Sequence, residues 1–168
     1  MPSRAAVIHP SETPVTASFL PFLVAIAQSA ALADSSDCVA GAAFLRDTQH
    51  MVAVIERDTI EDWRTKQRVI GCRITAAGVT DFTVQREAVR FYERLRASGW
   101  TRTPDPRDAP NEASLRFRMA QSDCLFNINA EALLGTRAES TVNRALKLGV
   151  GESRYQVLAL CMPAMPAR

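Results

Sequence analysis

The chain has 168 residues and a formal net charge of +2, and 47% of its residues are hydrophobic. A charge this small does not indicate a nucleic-acid-binding protein, which needs a strongly basic surface. The length predicts one domain with enough chain to bury a hydrophobic core.

The first 33 residues predict a signal peptide. Residues 18–27 form an uncharged apolar run, and Ala31 and Ala33 give the small-x-small pattern that a signal peptidase accepts. The run is too short to span a bilayer, which needs roughly 20 residues. The basic region that usually precedes such a run is weak, since Arg4 is the only basic residue before it. The alternative interpretation is a buried N-terminal helix. We expect cleavage after Ala33 and a periplasmic or secreted bacterial protein with no transmembrane segment.

The four cysteines all follow the predicted cleavage site. An even number in an exported chain predicts two disulfides. A metal site is not expected, because the chain has neither a Cys-x-x-Cys nor a Cys-x-x-His pair. A lipid anchor on Cys38 is not expected either, because Asp37 stands where lipoproteins need a small residue. We favour the pairs Cys38–Cys72 and Cys124–Cys161, and we expect no cofactor.

The mature chain is predicted to begin with a helix. Residues 38–50 are rich in alanine and lack proline, and Asp37 can cap their N-terminus. The apolar residues 51–55 either extend this helix or form a strand.

A charged loop and a strand follow. Residues 56–67 are polar and charged around Trp63, which predicts a loop. Residues 68–76 predict a strand, in which Ile70 and Cys72 lie on the same face because side chains alternate along a strand.

The clearest signal in the chain predicts the main helix, over residues 81–98. Its apolar side chains recur with the spacing of one helix face. They are Val84, Ala88, Phe91, Tyr92 and Leu95. Thr80 or Asp81 is expected to cap the helix, and Gly99 to end it in the left-handed conformation.

A hairpin is predicted at residues 114–130, after the proline-rich residues 104–110, which cannot form regular structure. The turn is expected near 121–123. Apolar residues alternate with polar ones that include Arg116 and Arg118, so the sheet is expected to be covered on one side only.

The C-terminal part predicts a short helix at 141–148 and a final strand at 155–161 that is apolar on both faces and therefore central. The fold class is then α+β: an antiparallel sheet of four to five strands with the main helix on one face. We expect a single domain over residues 34–162 and a flexible tail at 163–168. If the strands that hold Cys124 and Cys161 are antiparallel neighbours, both cysteines lie at the same end of the sheet.

The sequence contains no recognisable set of catalytic residues. His50 is the only histidine after the leader, and no serine lies in a Gly-x-Ser-x-Gly motif. The acidic residues between Glu56 and Asp62 lack the pattern of an EF-hand. A carboxylate pair for hydrolysis would need residues that meet only in the folded protein.

Basic residues form the one candidate binding surface. Arg86, Arg90 and Arg94 share a helix face, Arg116 and Arg118 lie on the polar face of the sheet, and Trp63 could anchor a partner. The alternatives are a solvated charged face and, for Trp63, a ring that packs on the core. We therefore expect a non-enzymatic binding or structural module whose partner is unknown: an anionic ligand or another envelope protein, and not a nucleic acid. A small exported hydrolase is the alternative.

The native N-terminus tests this interpretation. We expect the mass of the protein purified from its own cell envelope or medium to correspond to a chain that begins near Asp34. A mass that includes residues 1–33, or a lipid on Cys38, would contradict the predicted export route.

Overall fold

The computed structural model describes residues 36–62, 65–103 and 114–165. The predicted leader, the proline-rich segment and Trp63 lie outside these ranges, as do the last three residues of the predicted tail.

Six strands in the described residues form one antiparallel sheet in the order β1-β2-β6-β5-β4-β3. They are β1 (Val52–Asp62), β2 (Gln67–Thr80), β3 (Thr101–Arg102), β4 (Ser114–Met119), β5 (Ser122–Asn129) and β6 (Ser153–Pro163). The α+β class is confirmed, and the number of strands is slightly higher than the expected four to five. The short β3 qualifies as a strand because its two residues pair with β4.

The first hairpin is much longer than the sequence predicts. Residues 56–62 of the predicted loop instead belong to β1, which continues to Asp62 and pairs with β2 along its whole length. Arg73 on β2 lies 3.8 Å from a carboxylate oxygen of Glu56 and 3.3 Å from one of Asp58. Because β1 is an edge strand, its charged side chains can reach solvent while its backbone pairs on one side.

The last strand is the central one, as predicted. β6 lies between β2 and β5, and alternate side chains along it point into the main core. We call the face that bears this core the first face of the sheet, and the opposite one the second face. The buried residues that β6 contributes to the first face are Tyr155, Val157, Ala159 and Cys161.

The first face is covered by two helices. α1 (Ser36–Ala43) continues into a π-helical segment (Phe44–Thr48), and α2 (Val84–Ala97) lies beside it. Aromatic rings join these elements to the sheet, with ring centroids 5.3 Å apart for Phe44–Phe91 and 5.7 Å apart for Phe91–Phe126. Such edge-to-face contacts stabilise the fold beyond the contribution of the apolar area that the rings bury.

The ends of α2 differ in part from the sequence prediction. The N-cap is Thr83, whose hydroxyl accepts a hydrogen bond from the Arg86 N–H, and neither Thr80 nor Asp81 has this role. Thr80 instead belongs to the end of β2. Gly99 follows the helix with φ +86°, so the predicted left-handed ending is confirmed.

The second face carries a helix that the sequence did not place there. α3 (Arg137–Ala145) packs against β1 and β2, so the expectation of a sheet covered on one side only is wrong. Its contact residues Ala138 and Val142 are buried, and the Gln156 amide donates a 2.7 Å hydrogen bond to Asn143. None of the described helices is long and apolar enough to cross a bilayer.

The predicted disulfides, Cys38–Cys72 and Cys124–Cys161, are both present. Cys72, Cys161 and Cys124 lie opposite one another across β2, β6 and β5, and α1 carries Cys38 above this row. The bonds close loops with sequence separations of 34 and 37. Loops of this size contribute about 3–4 kcal/mol each in the chain-entropy model. Disulfides of this kind are typical of proteins in oxidising compartments, such as the periplasm or the extracellular space.

Gly41 lets α1 approach the row of cysteines. A Cβ atom at this position would lie 3.0 Å from the Cys161 Sγ and 3.0 Å from the Ile74 Cδ1. We expect Gly41→Val to lower the free energy of unfolding by about 1–3 kcal/mol, because overpacking forces the helix away from the sheet. Ala43→Val, at an exposed position of the same helix, should cost only about 0.5 kcal/mol. Chemical denaturation of both variants measures the difference, and equal losses would contradict the close approach.

The N-terminus of α3 depends on one carboxylate. Glu139 accepts hydrogen bonds from the N–H groups of Leu133 at 2.8 Å and Thr136 at 2.9 Å, and its own N–H donates to the Thr136 hydroxyl. Burial favours a higher pKa for Glu139, but the N–H groups that surround the carboxylate outweigh burial and lower the pKa. The residues that supply them are Thr136, Leu134, Leu133 and Gly135.

The lowered pKa of Glu139 predicts a loss of stability in acid. A depressed folded-state pKa stabilises the fold above the unfolded-state pKa, and this contribution disappears as the pH falls through the folded-state pKa. The free energy of unfolding of the wild-type protein should therefore fall more between about pH 6 and about pH 3 than that of Glu139→Gln. Urea denaturation across this range tests the difference, with Glu61→Gln at an exposed site as control. Parallel pH profiles for wild type and Glu139→Gln would contradict the assignment.

Candidate ligand-binding groove

The predicted arginine face of α2 makes mostly internal contacts. The guanidinium carbons of Arg86 and Arg90 lie 4.6 Å and 4.3 Å from the centre of the Phe82 ring. Arg94 forms an ion pair with Glu87, which lies seven residues earlier on the same helix. A guanidinium group over an aromatic face is stabilised by the ring quadrupole, so these arginines help to hold the start of α2 against the segment before it.

A buried polar network fixes α2 on the sheet. Glu87 is buried on the first face, accepts a 2.9 Å hydrogen bond from the Thr80 hydroxyl and pairs with Arg94. Burial and, to a smaller extent, the negative charge of Glu87 raise the pKa of Tyr155 to about 12. Since removal of one partner leaves a buried charge uncompensated, such a network holds the helix in one position.

The other two predicted arginines lie on the opposite face of the sheet. Arg116 is not on a solvated surface: it is 1% exposed, and its Nη1 lies 3.9 Å from the Asp62 Oδ1. Arg118 donates two hydrogen bonds to Asp123, at 2.7 Å and 2.9 Å. The structure therefore does not bring these arginines together with those of α2, and Trp63 lies outside the described residues.

Three buried acidic residues in the described part of the chain pair with arginines and not with one another. Asp62, Glu87 and Asp123 each pair with an arginine. Within residues 36–62, 65–103 and 114–165, no group of three or more histidine, cysteine or acidic side chains is arranged to hold a metal ion. All four cysteines are closed in disulfides and buried, so none offers a reactive thiol.

A groove with a volume of about 460 Å³ lies between α2 and the strands β3 and β4. Its residues on α2 recur at helical spacing, so they form a stripe beside the face that packs on the core. The apolar residues that line it are Ala88, Val89, Tyr92 and Leu115. The polar residues at its rim are Gln85, Glu93, Arg96 and Arg102.

Tyr92 gives the groove a rigid wall. Its ring stacks on Phe117, with centroids 5.7 Å apart and an interplanar angle of 18°, and its hydroxyl donates a 3.4 Å hydrogen bond to the Phe126 carbonyl. Burial raises the pKa of Tyr92 to about 12. The phenol is therefore neutral at any physiological pH.

Val89 makes the groove apolar and open at the same time. This side chain is 58% exposed although it lies next to Ala88 and Tyr92. Leu115 closes the opposite side and is buried. The groove can therefore bury part of an apolar group without any rearrangement of the core.

The groove is not apparent from the sequence. The apolar spacing places Ala88 and Tyr92 on the core face of α2, and it indicates no role for Arg96 or Arg102. The spacing of Gln85, Val89 and Arg96 could have shown a second stripe along the helix. No sequence pattern could have placed Arg102 beside that stripe, because the path of the chain after Gly99 decides it.

Comparison with known proteins does not add to this description. No protein-family model matches the chain, and no curated protein or solved structure is similar to it.

Proposed function

We propose that the protein is an exported, non-enzymatic binding module that holds the apolar part of a small ligand in the groove between α2 and β3–β4. The observation that carries this proposal is the apolar floor, which stays open to solvent at Val89. The volume of the groove is about 460 Å³, and small-molecule sites commonly occupy about 300–1,000 Å³.

The surroundings of the groove support binding without chemistry. The stacked ring of Tyr92 and the network of Glu87 and Arg94 hold both the wall and the helix in place, and a preformed site loses little entropy when it binds. A hydrolase would need two carboxylates that face a substrate. In the described part of the chain, the buried carboxylates of Asp62, Glu87 and Asp123 are instead engaged by guanidinium groups.

Export rests on independent features. Disulfides such as these two are typical of proteins in oxidising compartments, and the first 33 residues have the pattern of a cleaved leader. The module would then act in the periplasm or outside the cell.

The neutral fluorophore N-phenyl-1-naphthylamine tests the groove. We expect the mature protein to bind it at one saturable site, with a rise in fluorescence as the dye leaves water. Val89→Glu places a charge on the exposed part of the floor and should weaken binding about ten-fold or more, because the contact is worth about 1.5–3 kcal/mol.

The matched control is Val39→Glu, which changes a 54% exposed valine on α1. This variant should bind the dye as the wild type does, and circular dichroism should show that both variants are folded. Absence of saturable binding, or equal binding by wild type and Val89→Glu, would overturn the proposal.

A further inference from the structure

Two arginines from different elements line the groove. Arg96 lies in the last turn of α2, and Arg102 lies in β3, just beyond the turn at Gly99. Both side chains are exposed at the rim of the groove. Glu93 is the one carboxylate among the described residues that line it, so these described residues carry a net positive charge.

Within the part of the chain that the structure describes, neither guanidinium group has an ion-pair partner. Arg94 and Arg118 hold Glu87 and Asp123, whereas no described carboxylate lies within ion-pair distance of Arg96 or Arg102. The planar fork of an arginine matches a carboxylate, to which it can donate two parallel hydrogen bonds.

The positive charge of Arg102 acts on Tyr92, which forms the wall of the groove. Burial is the main influence on the pKa of Tyr92 and raises it, and the charge of Arg102 acts in the opposite direction. Because the ring of Tyr92 forms the wall beside Leu115, an anionic group near Arg102 would lie next to apolar surface.

The groove is also elongated. Its α2 side runs from Gln85 to Arg96, which is about 16 Å of helix at the rise of an α-helix. The arginines lie toward the C-terminal end of α2, and the apolar side chains of Ala88 and Val89 lie toward its N-terminal end. A ligand with one charged end and an apolar body matches this order.

We infer that the groove binds an amphiphilic monocarboxylate, with the carboxylate between Arg96 and Arg102 and the apolar chain along Val89 and Tyr92. This inference rests on the proposed function and adds the charge and the orientation of the ligand.

Displacement of N-phenyl-1-naphthylamine by three molecules of equal chain length tests the inference: laurate, dodecanol and dodecylammonium. We expect laurate to displace the dye from the mature protein at a concentration about ten-fold lower than dodecylammonium, with dodecanol between them. High salt should weaken the binding of laurate and leave that of dodecanol nearly unchanged, because salt screens exposed charges.

The variant Arg96→Gln/Arg102→Gln should lose the preference for laurate and keep its affinity for the dye. Arg144→Gln removes an exposed arginine from α3 on the second face and should keep the preference. Thermal unfolding of each variant accompanies the titrations, because a cation in the last turn also stabilises a helix.

The outcomes separate the two proposals. Dye binding without a preference for laurate, or a preference that survives in the double variant, would overturn this inference and leave the binding groove intact. No dye binding at all would overturn the proposed function. A dimer in sedimentation that the Val89→Glu variant loses would assign the groove to a second copy of the chain and overturn the inference.

Discussion

The row of cysteines across β2, β6 and β5 is the constraint on which the rest of the fold depends. Cys161 lies opposite both Cys72 and Cys124, so the two disulfides meet at the middle of the sheet and share the space beneath α1. Gly41 allows the helix to lie directly on this row. One disulfide joins neighbouring strands, and the other ties the N-terminal helix to the sheet. With α1 fixed in this way, Phe44 enters the aromatic cluster that also receives α2.

The position of α2 then determines whether a groove exists. Its core face packs through Phe91 and Leu95, and its buried carboxylate, Glu87, is held by Thr80 and Arg94. The neighbouring stripe of the helix lines a groove together with Arg102 of β3, which has only two residues, and Leu115 of β4. The groove is thus the space between a long amphipathic helix and the strands at this edge of the described sheet.

Local patterns predicted the elements that depend on local physics. The apolar spacing from Val84 to Leu95 predicted α2, the alternation around Phe117 and Phe126 predicted the β4–β5 hairpin, and the final strand, apolar on both faces, is central as predicted.

The errors in the prediction come from long-range contacts. Residues 56–62 form a strand because they pair with β2, and their charged sequence does not indicate this pairing. Arg116 is buried because Asp62, far away in the chain, lies beside it. Arg96 and Arg102 both line the groove because the chain turns at Gly99 between α2 and β3, and neither residue type indicates this in the sequence.

The central place of β6 has a consequence for how the chain acquires its structure. The β1–β2 hairpin and the β4–β5 hairpin are joined in the sheet only through β6, so the sheet has no continuous interior until β6 is in place. Before β6 pairs, the two hairpins are separate, and isolated two-stranded hairpins are at best marginally stable in water. The two disulfides join the first cysteine to the second and the third to the fourth. A chain whose cysteines become available in sequence order can therefore form both native bonds without reshuffling.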